Sequence, residues 1–383
     1  LRKVYFDHSA TTPVHPAVAE EMMQYITGNF GNPSSVHSFG REARKAVEAA
    51  REKVARGIGA RTEEIVFTAG GTESDNMAIR GVARANRERG NHIITSAVEH
   101  HAVLDTCKAL EKDGFRLTVL PVDEHGLVRV EEVAGAIGDQ TILISIMHAN
   151  NEVGTVEPVG EIGRLARERG VLMHTDAVQS IGKIPVRVAD LQVDFLSLSG
   201  HKIYGPKGVG ALYIRGGARW QPIDFGGGQE RKRRPGTENV AGIVGLGKAL
   251  ELAVADLDEA RFRLAKLRDR LLRGVLDKIP RVRLNGHPTL RLPNHVNLSF
   301  ELIEGESLLL SLDMQGIAAS SGSACASGSL SPSHVLTAMG IPHAIAHGSL
   351  RLTLGQDNTE ADVEYFLTAL PPIVERLRSM SPM

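Results

Sequence analysis

From about Glu64 to Arg215 two patterns alternate along the chain. Short, nearly continuous apolar runs occur in "EIVFTAG", "HIITSAVEH", "TILISIMHANNEVG", "VLMHTDAVQS", "VDFLSLSGHK" and "GVGALYIR". Between the earlier ones lie "ESDNMAIRGVARANRERG", "HAVLDTCKALEKDG" and "VGEIGRLARERG", whose apolar positions recur at helical spacing. The runs predict buried strands and the intervening segments predict amphipathic helices. Strands that alternate with helices build an α/β architecture, a mostly parallel sheet covered on both faces. In such a sheet ligands gather beyond the carboxyl ends of the strands, so candidate chemistry is sought where each run stops.

After Gly226-Gly227-Gly228 the pattern changes. "GKALELAVADLDEARFRLAKLRDRLLRGVL" is rich in helix formers and charged pairs, and predicts one long helix leading to a second lobe. That lobe holds strands in "HVNLSFELI" and "SLRLTLG" and closes on the helix "EADVEYFLTALPPIVERLRSM". No internal repeat or low-complexity segment interrupts the chain.

Composition narrows the partners. At 383 residues the chain exceeds one ordinary domain. Two cysteines do not make a disulfide-stapled fold, and no apolar run approaches the ~18 residues of a membrane span. The apolar stretch near the start is too short for a secretory signal, so a cytoplasmic protein with no membrane partner is expected. A net charge of −1 gives no basic field of the kind that attracts nucleic acid.

Three strand ends carry candidate chemistry. "VDFLSLS" runs into Gly200-His201-Lys202, where a desolvated lysine can become a neutral amine able to form a Schiff base; alone it reads more readily as a surface cation. Lys207 competes with it, but lies in Gly-Pro-Lys-Gly, a turn that exposes its side chain. "VLMHTD" ends at Asp176 with Gln179 just beyond; a buried acid there can hold a protonated ring nitrogen or, as the plainer alternative, cap a helix. "IVFTAGGTESDN" is a strand, a Gly70-Gly71 turn and a helix opening at Thr72, a geometry that suits a single phosphate or an ordinary capped turn, and is neither a Walker loop nor G-x-G-x-x-G. A Schiff-base lysine, a pyridinium acid and a mono-phosphate cradle together match the needs of pyridoxal 5'-phosphate.

In this company the chain resembles the cysteine desulfurases, class V members of the fold-type I pyridoxal-phosphate enzymes. "YFDHSATTP", "FGNPSS", "GGTESDN", "AVEHHAVL", "MHANNEVG", "HTDAVQS", "SGHKIYGPKGVGALY", "PGTENV" and "SSGSAC" occur in family order over nearly the whole chain. The resemblance implies a large domain over 12–255 with a seven-stranded, mostly parallel sheet, and a smaller α+β domain formed by 1–11 and 256–383. It implies that Lys202 carries the cofactor, Asp176 pairs with its ring nitrogen, His100 stacks on the ring and Gln179 reaches the ring hydroxyl. Gly71, Thr72, Ser199 and His201 would hold the phosphate, joined by Thr237 from the partner subunit of a homodimer. Asn151 and Arg351 would hold the carboxylate of L-cysteine. Gly71 stands where alanine is common in the family, and Pro235 precedes Gly236-Thr237 where a small residue is usual.

Cys325, in "SSGSACASGS", is the nucleophile by this resemblance. It takes sulfur from L-cysteine as a persulfide, leaves L-alanine, and passes the sulfur to an acceptor such as an iron–sulfur cluster scaffold protein. A free thiol is only a few per cent thiolate at neutral pH, so a nearby base is expected, with His100 the candidate. A Ser/Gly/Ala composition suits a thiol that must reach both a buried site and an external acceptor. Cys107 shares a predicted helix face with Val103 and Leu110 and reads as a structural thiol. A selenocysteine lyase or a related class V aminotransferase remains the alternative. Glu99-His100-His101 does not read as a metal site, because adjacent histidines on a strand point to opposite faces. The basic run Arg231, Lys232, Arg233, Arg234 reads as a solvated loop or a contact surface.

Overall fold

The structure, a computed structural model, describes residues 2–321 and 332–380. Among the described residues the strands are β1 (Val4–Tyr5), β2 (Ile65–Thr68), β3 (His92–Ser96), β4 (Arg116–Leu120), β5 (Thr141–Ser145), β6 (Leu172–Asp176), β7 (Phe195–Ser199), β8 (Gly210–Ile214), β9 (Val282–Leu284), β10 (His295–Phe300), β11 (Ile317–Ala318) and β12 (Ser349–Thr353). Seven of them form the main sheet in the order β2-β8-β7-β6-β5-β3-β4. Pairing is parallel from β7 through to β4, and only β8 runs against its neighbours β7 and β2.

Consecutive strand residues fall into opposite cores, as the two-residue period of a strand requires. Phe67, Ile94, Ile144 and Leu196 belong to one cluster with Val47, Val54 and Ile243 from the helices Ser38–Ile58 and Val240–Ala255. Their neighbours Val66, Ile93, Leu143 and Phe195 belong to another with Met77, Ile79, Val103 and Cys107 from the helices Gly71–Asn86 and His101–Lys112. Burial on both faces explains why these strands read as unbroken apolar runs. The edge strand β4 does not: only Leu120 is fully buried, Arg116 and Val119 are exposed, and its charged start hid it from the apolar pattern.

A second core unites the two ends of the chain. Val4 and Phe6 pack with Leu271, Phe300, Leu312, Leu352 and Phe366. Here β10 pairs antiparallel with β9 and β12, and β1 pairs parallel with β11. The helix Glu360–Met380 covers this core although it contains Pro371 and Pro372. The long helix expected between the lobes is instead two helices, Val240–Ala255 and Leu257–Lys278, separated at Asp256 (φ −106°, ψ 16°). Each half answers to a different core: Ile243, Leu246 and Leu250 face the main sheet, whereas Leu264, Leu267, Leu271 and Val275 face the second cluster. One straight helix could not serve both.

Glu230, Arg231 and Lys232 are three successive left-handed residues (φ 43°, 57° and 64°), a backbone that costs about 1–2 kcal/mol at each position. A buried ion pair holds them. Arg51 donates to both Glu230 oxygens at 2.8 and 2.7 Å, and the Phe67 N–H adds a third bond to Glu230 at 2.9 Å. Arg231, Arg233 and Arg234 then bond to Glu48, the Glu63 carbonyl and Glu73, so most of the basic run is engaged within the chain and only Lys232 is left simply exposed. No helix among the described residues is long and apolar enough to cross a membrane.

Candidate active site

The carboxyl ends of β6 and β7, the start of the helix Gly71–Asn86 and the segment around Ser9 enclose a pocket of about 310 Å³. Ten of the residues singled out from sequence line it: Gly71, Thr72 and His100; Asn151, Asp176 and Gln179; Ser199, His201 and Lys202; and Arg351. Thr237 does not; it is exposed, on the stretch that follows the left-handed turn. Cys325 lies outside the described residues.

Lys202 leaves β7 in the short turn Gly200–Lys202. Its Nζ donates to the main-chain carbonyls of Ser9 at 2.5 Å and Ala10 at 2.8 Å, so the N-terminal segment delivers the amine to the pocket. Lys207 is exposed, as its Gly-Pro-Lys-Gly turn predicts.

Asp176 ends β6. One oxygen accepts the Val178 N–H at 2.8 Å, and burial, reinforced by Asp75, pushes its pKa up to about 7. Asp75 is itself buried and also pushed up to about 7; its Oδ1 has no hydrogen bond and lies 3.5 Å from His174 Nε2. His174 in turn lies between the hydroxyls of Ser145 and Ser197, and burial lowers it to about 4. The pocket floor therefore holds two carboxyl groups in a setting short of positive charge, where a protonated ring nitrogen would be stabilised.

His100 and His101 are not on a strand. His100 caps the helix His101–Lys112, and its Nδ1 accepts the Ala102 N–H at 3.1 Å. That bond assigns the neutral tautomer with its proton on Nε2. Burial lowers the His100 pKa, Lys202 adds to the effect and Asp176 opposes it, which leaves a flat neutral ring against the pocket. Among the described residues no group of three or more His, Cys, Asp and Glu side chains could hold a metal ion.

The cradle at Gly71 and Thr72 depends on close packing. A Cβ on Gly71 would lie 2.7 Å from Val178 Cγ2, and one on Gly210 would lie 2.6 Å from the Leu198 carbonyl oxygen and 2.8 Å from Gly70 Cα. Backbone at the helix start can thus approach an anion with its first amides unengaged. Ser199 and His201 complete this side, with His201 Nδ1 3.1 Å from the Thr11 hydroxyl and its pKa lowered to about 4 by burial and Lys202. His201 is thus a neutral partner for an anion. Across the pocket Arg351, on β12, donates to the Asn151 carbonyl at 3.1 Å and to Asp7 at 2.9 Å, while its buried Nε has no hydrogen bond. Acid, amine, anion cradle and guanidinium fit pyridoxal phosphate and an amino-acid carboxylate.

Sequence reasoning missed four contributors: the carbonyls of Ser9 and Ala10, which no side-chain pattern reveals, and the buried Asp75 and Lys183. Asp75 stands three residues after Thr72, and Lys183 four after Gln179, spacings that could have suggested side chains sharing a site. Cys107 is buried, and burial pushes its thiol up to about 12, so it is no nucleophile.

The family model described as "Aminotransferase class-V" matches residues 4–366. A cysteine desulfurase IscS of Methanosarcina thermophila is 60% identical over 382 residues, covering 100% of this chain and 94% of that protein. One from Clostridium botulinum is 56% identical, covering 100% and 97%. Among solved structures, a protein titled NifS-like is 43% identical with a TM-score of 0.93, covering 98% of this chain and 100% of that one. SspA, solved in complex with cysteine, is 40% identical with a TM-score of 0.82, covering 92% and 99%. A chain that carries this fold, this pocket and this degree of identity over its whole length belongs to the class V aminotransferase family and, within it, to the cysteine desulfurases.

Proposed function

We propose that the protein converts L-cysteine to L-alanine with pyridoxal 5'-phosphate, and loads the sulfur onto Cys325 for transfer to an acceptor such as an iron–sulfur cluster scaffold protein. The observation that carries this reading is the convergence of Lys202, Asp176, His100 and Arg351 on one pocket. Bound there, the cofactor would supply an electrophilic carbon for the substrate amine and a ring that accepts electrons from Cα.

Arg351 and Asn151 hold the substrate carboxylate, with the unpartnered Nε of Arg351 the donor in reserve. Asp176 keeps the ring nitrogen protonated. With the cofactor bound, Lys202 would hold it, and its Nζ would be the group that takes the proton from Cα and returns one to carbon. The Cys325 thiolate attacks the substrate sulfur: an S–S bond forms, the Cβ–S bond breaks, and its electron pair stays with Cβ, which is protonated to the methyl group of alanine. His100 has Nδ1 committed to the Ala102 N–H, so in this geometry it offers a proton from Nε2 rather than a free acceptor. The base expected for Cys325 must then come from another group or from a switched His100 tautomer. Purified protein given L-cysteine and a reductant should yield alanine and sulfide in equal amounts, and a keto acid in place of alanine would make it an aminotransferase. A cytoplasmic setting suits this chemistry, since it keeps thiols reduced.

Asp176→Asn should lower alanine formation at least ~100-fold while leaving the fold intact, because the amide cannot hold a proton on the ring nitrogen. A near-normal rate would move that role to another acid, with Asp75 the first to test.

A second copy of the chain completes the phosphate site in this reading. Thr237 is exposed and absent from its own pocket, and the stretch Met23–Phe39 leaves Met23, Ile26, Phe30, Val36 and Phe39 exposed, the rings of Phe30 and Phe39 5.6 Å apart. Mixing Lys202→Ala with Thr237→Ala protein under conditions of subunit exchange should restore part of the activity that each lacks. A fully active monomer by light scattering would exclude the shared site.

A further inference from the structure

One buried cation takes no part in the steps above. Lys183 lies in the turn after β6 and is shielded from solvent. Gly182 before it has φ +69°, and a Cβ there would come within 2.9 Å of Ala253 Cβ and of Ile203 Cγ2. Glycine thus permits the tight turn that leads into Lys183. The ammonium donates twice to one residue, to the Gln179 main-chain carbonyl at 2.9 Å and to Gln179 Oε1 at 3.3 Å. Around it stand Lys202 and His201 from the turn after β7, His8 from the N-terminal segment and His295 from β10. Burial, with Lys202 acting in the same sense, lowers the Lys183 pKa to about 7.

An amide side chain has one accepting end and one donating end, and shape alone scarcely tells them apart. Here the partners decide. The Ser9 carbonyl can only accept, so Nε2 of Gln179 donates to it at 3.0 Å, which leaves Oε1 to accept from Lys183. Nε2 carries two hydrogens, and the second remains for the pocket that Gln179 lines. The Ser9 carbonyl that receives the first also receives Lys202 at 2.5 Å. Lys183, Gln179, Ser9 and Lys202 therefore form one hydrogen-bonded chain.

We propose that Lys183 is a positioning residue: by clamping Gln179 it makes that side chain a constant donor toward an anionic ring oxygen of the bound cofactor. The proposal rests on the reading that this pocket takes pyridoxal phosphate. A donor held on that oxygen stabilises its negative charge, and so lowers the proton affinity of the group that shares the proton with it. Freed from Lys183, the amide can rotate, and the stabilisation weakens.

The test is a pH titration of the visible absorbance of pyridoxal-phosphate-loaded protein, compared among wild type, Lys183→Met, Gln179→Leu and the double variant. Lys183→Met should move the midpoint upward by about one pH unit, a tenfold change in proton affinity. In the Gln179→Leu background the same substitution should move it no further, since its effect passes through Gln179. Lys183→Gln, which refills the space with an uncharged donor, should shift the midpoint less and in the same direction, and provides the reading if Lys183→Met does not fold. Unchanged midpoints in coloured, folded Lys183 variants would overturn the proposal, as would a shift of equal size in the Gln179→Leu background. A wild type that takes up no pyridoxal phosphate would overturn the underlying reading and the proposal with it.

Discussion

Lys202→Ala protein is expected to form no measurable alanine from L-cysteine, a loss of ~10⁴-fold or more, because two functions leave with one amine: the covalent link to the cofactor and the proton transfer at Cα. No other lysine can stand in. Lys207 is exposed and does not line the pocket, and Lys183 donates to Gln179 through both its main-chain carbonyl and its side chain. The carbonyls of Ser9 and Ala10, which receive Lys202 at 2.5 and 2.8 Å, place its nitrogen and no other at the pocket. Alanine release followed by chromatography, with the thermal transition checked against wild type, measures the loss. A variant that kept even a hundredth of the wild-type rate would transfer the role elsewhere.

The second large effect separates the two cysteines. Cys325→Ala should still take up the cofactor, stay coloured and exchange the Cα proton of L-cysteine with solvent deuterium, since none of these uses the thiol. Alanine formation should fall at least ~100-fold, because nothing accepts the sulfur. Cys107→Ala should retain full turnover and lose only about 1–2 kcal/mol of stability, as expected for a small apolar contact in the core beside Val103 and Leu110. The contrast has a physical origin in burial, which pushes the Cys107 thiol up to about 12 and leaves it no useful thiolate fraction. Full cysteine turnover by Cys325→Ala would refute its role as nucleophile; turnover of selenocysteine alone would favour the selenocysteine lyase alternative, in which selenolate leaves more readily and needs less help.

What could be read from the sequence follows what side-chain pattern can encode. β2, β3, β5, β7 and β8 are buried along their whole length and stand out as apolar runs; β4, at the edge, mixes exposed and buried positions and does not. The division at Asp256 escaped notice because helix propensity continues across it, and only the assignment of each half to a different core interrupts the axis. At the site, Lys202, Asp176 and Thr72 are legible as residues placed where strands end or a helix begins. His100 was found by resemblance, but its tautomer depends on a main-chain bond that appears only in three dimensions. Ser9 and Ala10 act through carbonyls that every residue type possesses. Cys325 was singled out by resemblance and lies outside the described residues.

The N-terminal segment has a consequence for how the protein reaches its native state. His8 and Ser9 bond to Thr353 across separations of 345 and 344 positions, Ser9 also meets His295, and Asp7 meets Arg351. The same segment carries the carbonyls that receive Lys202. Bonds between Thr12 and both His201 and Tyr204 tie the segment to the main sheet as well, but its contacts with β12 and Arg351 itself can form only after the ribosome has released β12, and contacts of such long range form slowly because loop closure must precede them. A nascent chain would pass through a stage with a formed sheet and an incomplete pocket, and Arg351, the guanidinium placed to meet a substrate carboxylate, would be the last part of the site to arrive.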